Sequence, residues 1–348
     1  MIFKKSNFFI CLSLCLCLIP SVGMLFGTQE AAANEILCGA PTVLSENGAF
    51  NLDVLDETED YIADHFALRQ QSARVWAELN ATIFKTSVEP QVVLGKDGWL
   101  FFDKSLDDYT GDALTDEELS RIAKSLAAMQ KELEAQGKTF IFTIAPNKNS
   151  LYPTYMPDYV PKRTEHSNAA RLKAFLEQEG VRYVDLYEAF RSKSEPLYYE
   201  TDSHWTEKGA ALAADQLFAA AEIRSDFFHA EFIPGERHLG DLYEMLYPGS
   251  AANEASEELA AGFHFEHLNA PNGGNAITLR TVNASEPGKL FCWRDSFGIS
   301  LYPYLAERFG EAVFSRSTNY DLSNADVQSS DVVILEIVER NICKLLDL

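Results

Sequence analysis

The sequence predicts an α/β protein with a parallel central sheet that helices cover on both faces. Three observations predict this fold class. First, short apolar runs that suit buried strands alternate with helical patterns from about residue 115 onwards, which is typical of parallel sheets. Second, polar residues directly follow several of these runs, at the sheet edge where such folds bind ligands. Third, 348 residues with 47% hydrophobic content suffice for one large domain or two smaller ones.

The elements before this alternation are a helical pattern and a hairpin. Apolar residues at helical spacing over residues 61–79 predict a helix. Residues 92–102 place two apolar runs around Lys-Asp-Gly, which predicts a β-hairpin. Thr115 with Glu118 forms a capping box, which opens a helix that Gly137 ends.

The alternating part of the chain supplies the strands of the predicted sheet. They are residues 139–145, 181–186, 290–293, 312–315 and 332–338. Helical patterns occupy residues 168–178, a stretch that begins near 206, and the residues after 297 through 305. Residues 222–285 show no sustained period, so we interpret them as an irregular insertion. We expect one domain over residues 34–348, with an N-terminal extension at 34–90.

Residues 1–33 have the features of a targeting segment. Lys4 and Lys5 precede an apolar run, and residues 31–33 are alanines that suit a cleavage site. A signal peptide is predicted, with a membrane anchor as the alternative because the run is about 19 residues long. Later stretches are too short or too polar to span a bilayer, so we expect an extracytoplasmic protein, secreted or anchored by this segment, with no other membrane contact.

Three cysteines follow the targeting segment: Cys38, Cys292 and Cys343. Cys292 belongs to a predicted buried strand, so a disulfide between Cys38 and Cys343 is the pairing to consider, and the sequence leaves it open.

The charge of the chain excludes one class of partner. With 29 basic and 52 acidic residues the formal net charge is −23. Nucleic acid is therefore an unlikely ligand, because phosphate binding depends on basic patches. Acidic polymers are repelled too, unless a local basic patch overrides the net field.

A strand followed by Asp-Ser-Phe-Gly offers a candidate nucleophile. The buried run 290–293 leads through Arg294 and Asp295 to Ser296, and a helical pattern follows. A serine at this turn can expose its hydroxyl at the top of a sheet, as a nucleophile elbow requires. The alternative is a helix entry in which Asp295 or Ser296 only caps free backbone N–H groups.

Asp202 and His204 are the candidate partners of that serine. A serine needs a neighbouring base, and the base needs a third group to hold it. Two residues apart in a loop, Asp202 can reach one ring nitrogen of His204 while the other nitrogen faces a hydroxyl elsewhere. The alternative is a solvated aspartate and a histidine packed beside Trp205.

Further polar residues follow the predicted strands and so fall on one rim of the sheet. They are Asn147, Lys148, Ser296, Arg316, Asn319, Glu339, Arg340 and Asn341. Taken singly, each is more often an ordinary loop residue than part of a site. Their coincidence on one edge favours a functional site there.

Together these motifs resemble the SGNH-hydrolase-like O-acetyltransferases of the AlgJ/AlgX type, which modify extracellular polysaccharides. The resemblance covers residues 90–345 and is carried by segments 95–101, 146–148, 152–153, 202–206, 240–242, 294–298 and 338–341. It implies an SGNH-like fold with parallel sheet and flanking helices. Because the Asp/His pair precedes the serine, the topology is expected to be circularly permuted.

The resemblance also implies roles for individual residues. Ser296 would be the acyl-accepting nucleophile, His204 the base and acid, and Asp202 its orienter. Tyr302, six residues after the serine, matches a tyrosine of AlgX-like sites, and Arg316 is a further candidate without a matching motif. The remaining substrate or oxyanion candidates on the rim are Asn319, Asn147, Lys148 and Arg340. No cofactor and no metal are expected.

The implied function is extracytoplasmic transfer of an acetyl group, through an acyl-serine, to a hydroxyl of a cell-surface or exported polysaccharide. A membrane-bound O-acyltransferase would supply the acetyl group, because acetyl-CoA is cytoplasmic. A secreted carbohydrate esterase with the same three residues is the close alternative. A catalytically silent surface protein that binds a glycan or a partner is the more distant one.

Overall fold

The computed structural model describes residues 2–23, 37–45, 48–111, 113–163, 166–269 and 273–348. The chain divides into two compact units. The first comprises Met1–Glu89 and Tyr243–Ala251, and the second comprises Pro90–Leu242 and Ala252–Leu348.

The first unit is helical. Its elements are α1 Ile2–Gly23, α2 Val54–His65, α3 Arg69–Leu79 and a π-helical turn, Asn80–Phe84. The single helix predicted over 61–79 is wrong: the chain leaves the helix at Phe66 and takes a left-handed conformation at Leu68, with φ 66°.

The predicted targeting segment contains α1. Across the described ranges, no helix combines the length and the apolar character needed to cross a bilayer. The alanines at the predicted cleavage site, residues 31–33, lie outside the described residues.

The rest of the chain alternates helices and strands. The helices are α4 Asp107–Thr110, α5 Asp116–Ala135, α6 Lys148–Leu151, α7 Asn168–Glu179, α8 Leu186–Arg191, α9 Glu207–Ala220, α10 Asp241–Leu246, α11 Gly298–Ala306 and α12 Ala325–Ser329. The strands are β1 Val92–Leu94, β2 Leu100–Phe102, β3 Thr139–Ala145, β4 Tyr183–Val184, β5 Phe232–Pro234, β6 Glu257–Leu259, β7 Glu266–Asn269, β8 Thr278–Val282, β9 Lys289–Trp293, β10 Glu311–Ser315 and β11 Val332–Val338. Short 3₁₀ segments lie at Asp103–Leu106, Pro153–Tyr155, Gly273–Asn275 and Glu339–Asp347.

The central sheet is mixed, with strand order β4-β3-β11-β9-β10-β8-β7. From β4 to β10 neighbouring strands are parallel, whereas β8 and β7 pair antiparallel. The expectation of a parallel sheet is therefore correct for the part that carries the candidate site and incomplete at one edge. The interpretation of 222–285 as irregular is wrong, because β7 and β8 lie there, as does the separate β5–β6 pair.

Helices cover both faces of the sheet, as the sequence predicts. Successive residues of β9 point to opposite sides: Leu290 and Cys292 join one buried cluster, and Phe291 and Trp293 join the other. The first cluster includes side chains of α8, α9 and α11, and the second includes side chains of α5 and α7. Burial on both faces explains why β9 is a continuous apolar run.

Local signals set several element boundaries. The predicted capping box is present at the start of α5, where Thr115 and Glu118 bond each other's backbone N–H groups. The hairpin β1–β2 turns through Asp97 and Gly98, both at positive φ. The strand predicted over 181–186 is shorter, because Asp185 accepts the Tyr187 N–H and caps α8. Cys38 and Cys343 are free thiols, so the disulfide considered for them is not formed.

Candidate active site

Ser296 lies in the turn between β9 and α11, and Asp295 fixes this turn. One carboxylate oxygen of Asp295 accepts the Phe297 N–H at 2.9 Å, and the other accepts the Val338 N–H at 2.7 Å. The Asp295 N–H in turn donates to the buried Glu336 at 3.1 Å. Asp295 therefore closes the turn before α11, the helix itself has no side-chain capping bond, and the Ser296 hydroxyl is left to bond elsewhere.

Ser296, His204 and Asp202 form a chain of hydrogen bonds. The Ser296 Oγ lies 2.9 Å from His204 Nε2, and His204 Nδ1 lies 2.7 Å from Asp202 Oδ1. Because a carboxylate only accepts, Nδ1 carries the proton and Nε2 is free to accept from the serine hydroxyl. The hydrogen bond that the sequence predicts between Ser296 and His204 is thus present, in the tautomer that a general base requires.

The electrostatics of the pair follow from burial and contact. Burial raises the pKa of the Asp202 carboxyl, but hydrogen bonds from His204 and His238 outweigh burial and hold that pKa well below its usual range. Burial lowers the pKa of His204, whereas the hydrogen bond and charge of Asp202 raise it, and the net shift is upward. His204 is therefore a stronger base than a free imidazole.

A second loop, which sequence reasoning did not assign to the site, completes the surroundings of Asp202. Asp202 Oδ2 accepts from His238 Nε2 at 2.8 Å and from the Asp241 N–H at 3.0 Å. Asp241 itself accepts from the Ser203 N–H at 2.7 Å and from the Ser203 hydroxyl at 2.6 Å. A side chain at Gly240 would collide with the backbone of Thr201, so glycine permits this approach. The Gly-Asp-Leu motif at 240–242 was the available signal for the loop.

Asp202, His204 and Asp241 are also the group best placed to hold a metal ion, with one ligand atom from each residue within 4.8 Å of the others. These atoms already bond one another or Ser203, at 2.7 Å for His204 Nδ1 and 2.6 Å for Asp241 Oδ2. A cation would have to break these bonds, so the arrangement favours proton transfer over metal binding.

Lys148 holds the Asp202 loop instead of facing a substrate. The buried amine donates to the carbonyl oxygens of Leu100 at 2.7 Å, Glu200 at 2.6 Å and Asp202 at 3.0 Å. Its Nζ also lies 4.9 Å from the centre of the Trp99 ring. Burial lowers the pKa of Lys148 to about 7, against the opposing charge of Asp202 and its neighbours. Lys148 thus joins the hairpin motif to the Asp202 loop.

Asn147 is likewise engaged with the protein. Its side chain donates to the Ser105 carbonyl at 3.2 Å and accepts the Arg340 N–H at 3.3 Å, while its own N–H donates to Glu339 at 2.8 Å. Asn147 is 1% exposed, so it has no surface to offer a substrate. Its position argues for a structural role.

The remaining candidates differ in how near they lie to Ser296. Arg340 places its guanidinium carbon 5.5 Å from the centre of the Phe297 ring, and that ring lies 4.8 Å from the His204 ring. Tyr302 is nearly buried and its hydroxyl lies 3.3 Å from His267 Nε2. Asn319 is exposed, and its N–H donates to Ser317.

A cavity of about 190 Å³ opens beside Ser296. Arg316 and Lys344 contribute positive charge to its lining, and Glu336 contributes a buried carboxyl. Burial and the charge of Asp295 raise the pKa of Glu336 well above its usual range, which favours the neutral form of this carboxyl. Of the polar residues predicted on the rim, Arg316 and Asn341 therefore share a cavity with the serine.

The fold and this hydrogen-bonded serine define an SGNH hydrolase-like domain. Residues 92–262 match the family model described as the SGNH hydrolase-like domain of the acetyltransferase AlgX. A probable alginate O-acetylase AlgJ of Pseudomonas syringae pv. tomato is 32% identical over 199 residues, 54% of this chain and 49% of that protein. The resemblance to the AlgJ/AlgX family is therefore confirmed. The chain spans about half the length of the curated relatives it matches.

Solved structures show the same fold. Bacillus cereus PatB1, determined with a sulfonyl adduct, has a TM-score of 0.54 at 15% identity over 72% of this chain and 95% of that one. The O-acetyltransferase domain of Pseudomonas putida AlgJ has a TM-score of 0.50 at 19% identity over 73% and 92% of the two chains.

The contacts of Lys148 predict its contribution to stability. Lys148→Met keeps the apolar stem but leaves the carbonyls of Leu100 and Asp202 without a donor, whereas the Glu200 carbonyl keeps the Leu100 N–H; each unpaired buried group costs about 1–3 kcal/mol. We expect a loss of about 3 kcal/mol or more in the free energy of unfolding, measured by urea denaturation. Lys173→Met, which removes an ion pair with the half-exposed Asp185, is the matched control and should change little. Equal midpoints for the two variants would contradict the anchoring role of Lys148.

Proposed function

We propose that this protein is an extracytoplasmic polysaccharide O-acetyltransferase that works through an acetyl-serine at Ser296. The observation that carries the proposal is the 2.9 Å contact between Ser296 Oγ and His204 Nε2, with Asp202 on the opposite ring nitrogen. The AlgJ relatives, named as probable alginate O-acetylases, support the acceptor class. Alginate is accordingly the first acceptor to test.

In the first half of the reaction Ser296 becomes acetylated. His204 Nε2 takes the proton of the Ser296 hydroxyl as Oγ bonds to the acetyl carbonyl carbon. The tetrahedral oxyanion then collapses, the bond to the donor oxygen breaks, and His204 returns its proton to that leaving oxygen. Asp202 holds the imidazole in place and stabilises its positive charge during the step.

Donors for the oxyanion come from the same turn and rim. Among the described residues the Ser296 N–H donates no other hydrogen bond, so it is free to donate to an oxyanion on Oγ. Arg340 and Arg316 carry positive charge on either side of the turn, beside Phe297 and in the cavity respectively. Fixed donors and charges of this kind usually contribute the largest single stabilisation in acyl transfer.

In the second half a sugar hydroxyl attacks the acetyl-serine. His204 removes the hydroxyl proton, the new ester forms, and Ser296 Oγ leaves and recovers a proton from His204. Hydrolysis differs only in that water attacks, so a carbohydrate esterase is the second candidate. The matched AlgJ relatives favour transfer over hydrolysis.

The acetyl donor follows from the compartment that we propose. The apolar segment at residues 1–33 suits export, and acetyl-CoA is cytoplasmic. A membrane-bound O-acyltransferase that passes acetyl groups across the membrane is therefore the proposed partner.

The acetyl-serine predicts a covalent adduct. Incubation with p-nitrophenyl acetate should add one acetyl group, which peptide mass spectrometry maps to Ser296. Ser296→Ala should abolish the adduct, and His204→Ala should slow its formation by about 10² or more. Asp202→Asn should also weaken turnover, because the amide favours the wrong histidine tautomer.

Ser203→Ala is the matched control for the adduct, since the Ser203 hydroxyl lies 3.2 Å from the other ring nitrogen of His204. The adduct should still map to Ser296 in this variant. An adduct that persists in Ser296→Ala and disappears in Ser203→Ala would reassign the nucleophile.

Transfer and hydrolysis predict different fates for the acetyl group. For a transferase, alginate oligosaccharides should discharge the acetyl-enzyme faster than buffer alone, and the acetyl group should appear on the sugar by mass spectrometry. Neutral oligosaccharides of equal length test acceptor choice. Discharge at one rate with and without every acceptor would establish the esterase instead.

Export predicts a processed N-terminus. Protein isolated from its native host should lack the first residues, with cleavage near Ala33, because the apolar run and the alanines suit a signal peptidase. N-terminal sequencing and intact mass measure this directly. A full-length chain that begins at Met1 and is free in the cytosol would refute both export and the proposed acetyl donor.

A further inference from the structure

Asp202 holds two histidines, one on each carboxylate oxygen. Oδ1 accepts from His204 Nδ1 at 2.7 Å and from the His204 N–H at 2.8 Å. Oδ2 accepts from His238 Nε2 at 2.8 Å and from the Asp241 N–H at 3.0 Å. The carboxylate is 4% exposed, so these four donors replace the water that would otherwise solvate its charge.

His238 is held firmly in this position. Its ring stacks on Tyr199 at 4.0 Å between ring centres with an angle of 17°. Its backbone pairs with Glu254 in both directions, at 3.0 Å for each hydrogen bond. The Tyr199 N–H also donates to the His204 carbonyl, so one short segment joins the two histidines.

We propose that His238 is a positioning residue that fixes Asp202 for His204 and competes with His204 for the charge of that carboxylate. The proposal rests on the proposed function, because it concerns the base of that reaction. His238 makes no contact with Ser296 among the described residues. It acts through Asp202, and the chain of bonds runs from His238 to the nucleophile.

His204 and His238 compete because Asp202 carries a single negative charge. One carboxylate cannot fully stabilise two imidazolium rings, so a proton on either histidine makes a proton on the other less favourable. His238 is 31% exposed at its side chain, so it can exchange protons with solvent. When His238 is protonated, its positive charge offsets part of the negative charge of Asp202. Asp202 then stabilises the His204 imidazolium that forms during acyl transfer less well, and acyl transfer slows.

Other titratable groups around His238 affect the protonation of its ring. Asp202, Glu254 and Asp241 are carboxylates that favour the protonated ring, in opposition to its burial, and the net shift of the His238 pKa is upward. Burial raises the pKa of Glu207 to about 7, and the charge of the nearby His238 opposes this rise. Tyr199 is neutral, because burial raises its pKa far above the physiological range. Protonation of His238 and protonation of His204 are therefore both favoured by their surroundings.

The test is an NMR titration of the histidine rings in the whole protein, which does not depend on acyl transfer. His238→Gln keeps a side-chain N–H that can donate to Asp202, as His238 Nε2 does, and removes the group that titrates. The His204 midpoint should rise by about one pH unit in this variant, since closely coupled groups interact by about that much. By linkage, His204→Gln should raise the His238 midpoint by the same amount.

A control variant and a kinetic readout separate this role from a merely structural one. His229→Gln removes an exposed histidine paired with Asp226 and should leave the His204 midpoint unchanged. On the acid side of the pH profile, the logarithm of the rate of Ser296 acetylation should fall as the pH is lowered. The slope against pH should approach two in the natural protein and one in His238→Gln. His238→Ala should slow acetylation more than His238→Gln does, because it also removes the hydrogen bond to Asp202.

The outcomes are distinct for the two proposals. An unchanged His204 midpoint in a folded His238→Gln protein would overturn the coupling, whatever the enzyme's activity. A shifted midpoint in a protein that forms no acetyl-serine would support the coupling and refute the proposed function.

Discussion

The structure of the candidate site depends on one interaction, the hydrogen bonding of the Asp202 carboxylate. A buried charge without partners is costly, and here four donors from two loops supply partners. Because the donors come from both sides, the carboxylate fixes the His204 ring and the loop at 238–241 together. The tautomer of His204, and hence its capacity to accept from Ser296, follows from this arrangement.

A different group, the Lys148 amine, holds the backbone of the Asp202 loop. Lys148 donates to carbonyl oxygens of two segments that are distant in sequence, Leu100 in β2 and the pair Glu200 and Asp202 in the Asp202 loop. The hairpin motif therefore contributes to the site without touching it: Trp99 stacks on Tyr155 at 4.2 Å and flanks the Lys148 amine. Motifs that are far apart in the chain thus pack together and hold the loop that carries His204.

Much of this arrangement could be predicted from the sequence, because its signals are local. The apolar run before Ser296, the capping box at Thr115 and the turn at Asp97–Gly98 each depend on a few neighbouring residues. The antiparallel edge was missed, since β8 reads Thr-Leu-Arg-Thr-Val, which has neither a continuous apolar run nor a strict polar–apolar alternation. His238 was missed because its role depends on a contact 36 residues away, which no local pattern records. Asn147 and Lys148 do follow β3 as the sequence predicts, yet both are buried and bond to the protein itself: Lys148 holds the Asp202 loop, and Asn147 bonds Ser105, Glu339 and Arg340.

The order of strands in the sheet has a consequence for how the protein matures. β11 comes last in the chain, yet it lies between β3 and β9 in the middle of the sheet. It also supplies the Val338 N–H and the Glu336 carboxyl that hold the turn at Ser296. His204 and Ser296 are themselves 92 residues apart. Because β11 supplies these contacts, the hydrogen bonds that hold the turn at Ser296 can form only once β11 has paired within the sheet, and such non-local pairing is intrinsically slow.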